Sequence, residues 1–77
     1  IGVSMAANKV GGVRCALCTD CLQAEMTRRH NDANVLALGA GITGPNLAKR
    51  MVEIFLSTAF EGGRHARRVA LVDSIQP

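Results

Sequence analysis

Three cysteines stand at a spacing of three residues, Cys15, Cys18 and Cys21, and thiolates are ligands of zinc and of iron–sulfur clusters. A structural zinc site gathers two ligands from one tight turn and two from another, and no later Cys or His pair has that spacing. A cluster needs a fourth thiolate, which the chain lacks, and His30 lies at the far end of a predicted helix. We therefore predict free, buried or half-buried thiols and no metal.

Composition limits the classes of protein to which the chain can belong. Its 77 residues carry nine Lys and Arg against six Asp and Glu, a net charge of +3, with two Phe and no Trp or Tyr. This charge is too small and scattered to indicate nucleic-acid binding, and two Phe residues do not form an aromatic surface on which bases could stack. No apolar run approaches the roughly 18 residues of a membrane span, and no signal-peptide pattern occurs. We expect a cytoplasmic protein without nucleic-acid or membrane partners.

Apolar spacing, glycines and helix caps predict six elements. In chain order they are a helix at 3–10, a strand at 13–18, a helix at 21–29, a strand at 34–39, a helix from 45 and a helix at 64–75. We expect Gly11 and Gly12 to end the first helix, and Thr19 or Asp20 to cap the second. The residues expected to face the interior are Leu22 and Met26, then Leu47, Met51, Ile54 and Phe55, and finally Val69, Val72 and Ile75.

Two apolar strands joined by a helical crossover should be parallel and right-handed, which predicts a layered α/β fold. The second strand lacks polar alternation, as expected where both faces of a sheet are covered. Two parallel strands do not form a stable sheet by themselves. We therefore expect further strands before Ile1 or on another chain, and we interpret the sequence as a fragment.

Three stretches carry a family resemblance: "IGVSMAANKV" at 1–10, "RRHNDANVLALGA" at 28–40 and "FLSTAFEGGRHARRV" at 55–69. In order and spacing they resemble the C-terminal half of the type B ribose-5-phosphate isomerases, a family that includes isomerase subunits acting on galactose 6-phosphate. The resemblance implies a three-layer α/β fold with a Rossmann-like parallel sheet. It also implies that residues 1–77 are the C-terminal part of a single domain whose N-terminal half is absent.

The resemblance implies an aldose–ketose isomerase that works through an enediolate, without metal or cofactor. In the family the base is commonly a Cys that opens a loop of the form Cys-Gly-Ser/Thr-Gly-Ile/Val-Gly, and Ile1 and Gly2 match its last two positions. The base is then expected four residues before Ile1. One branch of the family has a Glu where this chain has Val3, so we favour the cysteine branch.

Position by position, the resemblance assigns the remaining site. His30 matches the histidine that opens the sugar ring, since an imidazole titrating near neutrality suits proton transfer. Asn31 matches a substrate-binding amide, and Gly2 belongs to the anion-holding loop. Arg64 and Arg68 match phosphate-binding positions on one helical face.

Structural alternatives to these roles remain. A histidine that ends a helix can complement the helix dipole, Asn31 can be a turn residue, and "RHARR" can be a solvated basic face. Asp32 is expected to order the local turn, and His65 and Arg67 to be neighbours of the site. Gly41 stands where the family often has an Arg, so one substrate contact is missing and the preferred sugar is less defined.

The predicted function of the full-length parent is interconversion of ribose 5-phosphate and ribulose 5-phosphate in the pentose phosphate pathway, and we expect the 77 residues alone to be inactive. The alternatives are isomerisation of a hexose 6-phosphate and a non-enzymatic basic interaction module. Because His30 precedes its strand, it should lie at the opposite sheet edge from the Gly2 loop. We therefore expect a homodimer in which His30 and Asn31 complete the partner's site.

Overall fold

The structure, a computed structural model, describes residues 1–75. Its elements are α1 (Gly2–Ala7), β1 (Cys15–Leu17), α2 (Cys21–Asn31), β2 (Val35–Ala37), α3 (Pro45–Ser57) and α4 (Arg64–Asp73). All six predicted elements are present in the predicted order. No helix within residues 1–75 is long and apolar enough to cross a bilayer.

The two strands are parallel, which confirms the prediction from the helical crossover. Cys15 pairs with Val35 and Leu17 with Ala37. Arg14 O accepts from the Asn34 N–H and the Cys18 N–H donates to Ala37 O, so these backbone groups face β2. Backbone groups alternate in direction along a strand, and those of Cys15 and Leu17 therefore face the opposite, outer edge of β1. An edge of this kind is a template for a further strand.

A side chain occupies part of that outer edge. The amide of Asn8 accepts from the Cys15 N–H at 2.8 Å and donates to the Cys15 carbonyl at 2.9 Å. The same residue is the C-cap of α1, so α1 ends at Ala7 and does not continue to residue 10. The prediction that Gly11 and Gly12 end this helix is wrong, because the Asn8 side chain bonds to β1 before the glycines are reached.

One face of the sheet is covered by α2 and α3. Cys18, Ala24 and Met51 are buried there, and the half-buried residues packed against them are Ala16, Cys21, Leu36, Leu38 and Ile54. On the opposite face Leu17 and Val35 are each 37% exposed. Within the described residues, the sheet is therefore packed mainly on one side, whereas the sequence predicted cover on both.

Several residues expected to face the interior are exposed. Leu22 is 64% exposed because Asp20 caps α2 by accepting from the Gln23 N–H at 2.7 Å, and this register turns Ala24 and Thr27 inward. Of the other residues expected to face the interior, Leu47, Val72 and Ile75 are exposed, and Ile75 lies beyond the end of α4. Met51 is fully buried, and Met26, Ile54, Phe55 and Val69 are half-buried.

Candidate functional site

The last turn of α2 carries two predicted site residues, His30 and Asn31. The helix ends after them because Asp32 adopts a left-handed backbone conformation with φ 49°, and its N–H donates to Thr27 O. The Asp32 carboxylate also accepts from the Arg28 guanidinium at 3.0 Å. This turn is consequently held by backbone and side-chain bonds, as the sequence predicted for Asp32.

The start of α4 is held against the same turn. Gly62 and Gly63 have φ values of 70° and 57°, which glycine adopts without steric cost, and they turn the chain into α4. The Glu61 N–H donates to Arg29 O at 3.0 Å and ties the loop to α2. Arg64, the first residue of α4, is thereby brought to the end of α2.

Two histidines stack where these helices meet. The rings of His30 and His65 have centroids 4.2 Å apart and planes 13° from parallel. Glu61 Oε1 lies 3.9 Å from His30 Nε2 and 3.7 Å from His65 Nε2. The other carboxylate oxygen of Glu61 accepts from the Arg29 guanidinium. His65 is the one buried residue of α4 in the described part of the chain, while the His30 side chain keeps 35% of its surface exposed.

Burial and charge set the protonation of this cluster. Burial lowers the pKa of His65 below its ordinary value, and the nearby positive groups of His30, Arg64 and Arg68 lower it further, against the opposing effect of Glu61. The hydrogen bond from Arg29 lowers the pKa of Glu61, with the positive charges around it acting in the same direction. Near neutral pH, His65 is therefore mainly uncharged and Glu61 ionised.

His30, Glu61 and His65 also place one potential metal ligand each within 4.8 Å of one another. The stacking does not suit a shared ion. Imidazole binds a metal in the plane of its ring at about 2.0–2.1 Å. An ion between two nearly parallel rings lies far out of at least one plane, so we interpret the three groups as a stacked histidine pair that faces one carboxylate.

Asn31 and Arg68 line a groove of about 800 Å³. The groove runs along the outer edge of β1, where Cys15 and Ala16 form part of its wall. Its other charged and amide lining residues are Asn8, Lys9, Arg14 and Asp73, and its large apolar ones are Met5, Val10, Val13, Val69, Val72 and Ile75. The structure thus brings two predicted substrate-binding residues together on the surface of an incompletely covered sheet.

Gly2 lies elsewhere. It is the first residue of α1, whereas Asn8 at the other end of α1 bonds to Cys15 at the start of β1. Six helical residues span about 9 Å. The end of α2 is also at the start of β1, because Arg14 Nε donates to Asp32 O. Gly2 is therefore at the end of α1 remote from the α2–α4 contact.

The cysteines are packing residues in this structure. All three are free, and Cys18 and Cys21 pack in the core beside α2 and α3. Burial raises the pKa of the Cys18 thiol, and the charges of Asp20 and Cys15 raise it further. A thiol that stays protonated is a poor metal ligand and nucleophile.

Sequence reasoning gave no role to Glu61 and treated His65 as a neighbour of the site. Both belong to the "EGGRH" motif, but their contact with His30 spans more than 30 residues of chain and cannot be inferred from spacing. The one indication in the sequence was a histidine in the first turn of a helix that also carries three arginines.

Comparisons with known proteins identify the family. The model of a family described as Ribose/Galactose Isomerase matches residues 1–72. Ribose-5-phosphate isomerase B of Escherichia coli is 43% identical over 76 residues, which cover 99% of this chain and 51% of that protein.

Solved structures of type B ribose-5-phosphate isomerases are similar to this chain in both sequence and fold. Ribose-5-phosphate isomerase B of Clostridium thermocellum has a TM-score of 0.96 and 50% identity, covering 99% of this chain and 51% of its own. The Mycoplasma genitalium enzyme, solved with bound ribulose-5-phosphate, has a TM-score of 0.92 and 42% identity, over 95% of this chain and 48% of its own. The chain spans about half the length of these relatives. It belongs to the ribose/galactose isomerase family, with the parallel α/β fold of the type B ribose-5-phosphate isomerases.

Proposed function

We propose that the complete protein containing this chain is an aldose–ketose isomerase that interconverts ribose 5-phosphate and ribulose 5-phosphate in the pentose phosphate pathway. The observation that carries the proposal is the convergence of His30, Asn31, Arg64 and Arg68 at the α2–α4 contact of a family member. The bound ribulose-5-phosphate of the Mycoplasma genitalium relative supports this choice of substrate.

His30 is the proposed acid of ring opening. Its ring is half-exposed, so one edge is open to a ligand while the other groups of the cluster hold it. When the bond between C1 and the ring oxygen breaks, the oxygen takes a proton from the imidazolium. The C1 hydroxyl gives its proton to water, which leaves the open-chain aldehyde. Asn31, exposed beside His30, then contacts sugar hydroxyls as donor and acceptor.

Arg64 and Arg68 are the proposed phosphate grip. They are both exposed and lie four residues apart on α4, so their guanidinium groups project from one face of the helix. Planar guanidinium groups can bind phosphate oxygens through paired hydrogen bonds. Arg68 shares its groove with Asn31, which fits a sugar phosphate that extends between the two helices.

The proposed carbon base is a cysteine four residues before Ile1, and the Gly2 loop would hold the oxyanion. Since Gly2 lies remote from the α2–α4 contact, we propose a cytoplasmic homodimer in which His30 and Asn31 complete the partner's site. Sedimentation of the complete protein at the mass of two chains is expected, and a fully active monomer would contradict the shared site.

The test is turnover of ribose 5-phosphate by the complete protein and its arginine variants. A charge-assisted hydrogen bond contributes about 1.5–3 kcal/mol, so Arg64→Met or Arg68→Met should lower kcat/KM about 10- to 150-fold. Arg67→Met is the matched control, since Arg67 is exposed on the same helix but outside the proposed grip. Absence of turnover in the unaltered protein, or equal losses in all three variants, would refute the proposal.

A further inference from the structure

His65 is buried, although the proposed function gives it no role. It is 7% exposed on a helix whose other described residues are half-buried or exposed, and burying an ionisable ring costs free energy unless its partners compensate. Its described partners are His30, on which it stacks, and Glu61. Both partners lie at the site where ring opening is proposed.

The stack restricts the plane of the His30 ring. With ring centroids 4.2 Å apart and planes within 13°, His65 covers one face of His30, while part of the His30 side chain stays open. Glu61 Oε1 lies within 3.9 Å of both Nε2 atoms, so one carboxylate oxygen faces the same ring position on both histidines. A histidine that donates a proton needs a fixed ring position and a defined tautomer, and these contacts can supply both to His30.

Glu61 is itself fixed by two contacts with Arg29. Its N–H donates to Arg29 O, and its carboxylate accepts from the Arg29 guanidinium, which also donates to Glu25. The remaining charged groups that act on His65 come from α4, namely Arg64 and Arg68. The Glu61 carboxylate therefore lies near the Nε2 atoms of both rings, and the positive charges that act on His65 from α4 are those of Arg64 and Arg68.

The two rings are not equivalent as proton carriers. His65 resists protonation because it is buried and surrounded by positive charge, as its lowered pKa indicates. His30 is the more exposed ring and faces the ionised Glu61, so the two rings differ in solvent access and in their surrounding charge.

We infer that His65, held by Glu61, is a positioning residue that fixes the plane of the His30 ring and its orientation toward Glu61 for opening of the sugar ring. This inference rests on the proposed function. It adds to that function a requirement for His65 that applies to the ring-opening step and not to the enediolate step, because the enediolate forms from the open chain.

Hydrogen exchange at C1 of ribulose 5-phosphate separates the two steps. Ribose 5-phosphate exists mainly as a furanose and must be opened before isomerisation. Ribulose 5-phosphate cannot form a furanose ring, because the phosphate occupies the oxygen that would close it. Through the enediolate its C1 hydrogen exchanges with solvent without opening or closing of a ring. The values of kcat/KM for the two sugars cannot separate the steps, because their ratio equals the equilibrium constant and no variant changes it.

The experiment uses the complete protein and its His65→Ala, His65→Phe and Glu61→Gln variants. It measures kcat/KM with ribose 5-phosphate and, in D₂O, the rate of deuterium incorporation at C1 of ribulose 5-phosphate. Positioned proton transfer contributes about 10²–10⁴-fold, and we expect His65→Ala to lose about 10-fold or more of it with ribose 5-phosphate. The rate of C1 exchange in ribulose 5-phosphate should fall less than about threefold. His65→Phe keeps a flat ring in the stack and should fall between His65→Ala and the unaltered protein, and Glu61→Gln should show the same difference between turnover and exchange.

Retained C1 exchange in ribulose 5-phosphate also shows that each variant has folded. Arg67→Ala is the matched control on α4 and should change neither rate. Equal losses of turnover and of exchange, or no loss in either, would overturn the positioning role while leaving the isomerase assignment intact. Failure of the unaltered protein to turn over either sugar would instead refute the proposed function.

Discussion

Replacing Asp32 tests how the turn after His30 and Asn31 is held. Asp32 has φ 49° and pairs with Arg28 at 3.0 Å and Arg14 at 3.4 Å, all three side chains being 20–35% exposed. Partly exposed ion pairs contribute about 0.2–1 kcal/mol each. A residue with a β-carbon and no compensating polar group costs roughly 1 kcal/mol in the left-handed region.

Asp32→Ala loses the two ion pairs, about 0.4–2 kcal/mol together, and adds the uncompensated backbone cost of roughly 1 kcal/mol, so it should lower the free energy of unfolding by about 1.5–3 kcal/mol. Asp32→Gly loses the same pairs but relieves the backbone, and should be about 1 kcal/mol more stable than the alanine variant. Urea denaturation of the complete protein, with the slope m unchanged between variants, measures both. A glycine variant no more stable than the alanine variant would refute the left-handed argument.

Two further predictions concern the substrate and pH. Gly41 is exposed and an added Cβ meets nothing within 4 Å, so Gly41→Arg should fold normally. Its new charged contact to ribose 5-phosphate should lower KM about 10-fold. Gly41→Met is the uncharged control. An unchanged KM would mean that this loop does not reach the sugar. The folded-state pKa values of His65 and Glu61 both lie below their ordinary values of 6.5 and 4.5, so their contributions to stability are complete above those values and are lost as pH falls. The free energy of unfolding should therefore fall below about pH 6.5, and His65→Phe should remove that first decline; a decline of equal size in this variant would assign it to another group.

The elements could be predicted because their signals are local. Pro45 begins α3, Asp20 caps α2, and the apolar run at β2 is bounded by Asn34 and Gly39. Boundaries and inward faces were less predictable. Asn8 ends α1 by bonding to a strand seven residues later, and the exposure of Leu22 follows from one cap bond that sets the register of α2.

The α/β class, the parallel crossover and the family could be inferred from the sequence, because helix caps, apolar runs and the motifs around His30 and Arg64 are properties of neighbouring residues. Which distant groups meet is visible only in the folded chain. His30 stacks on His65 and both face Glu61 because two glycines with positive φ turn the chain back onto the last turn of α2. Contacts over more than 30 residues depend on loop geometry and packing, which no local pattern in the sequence specifies.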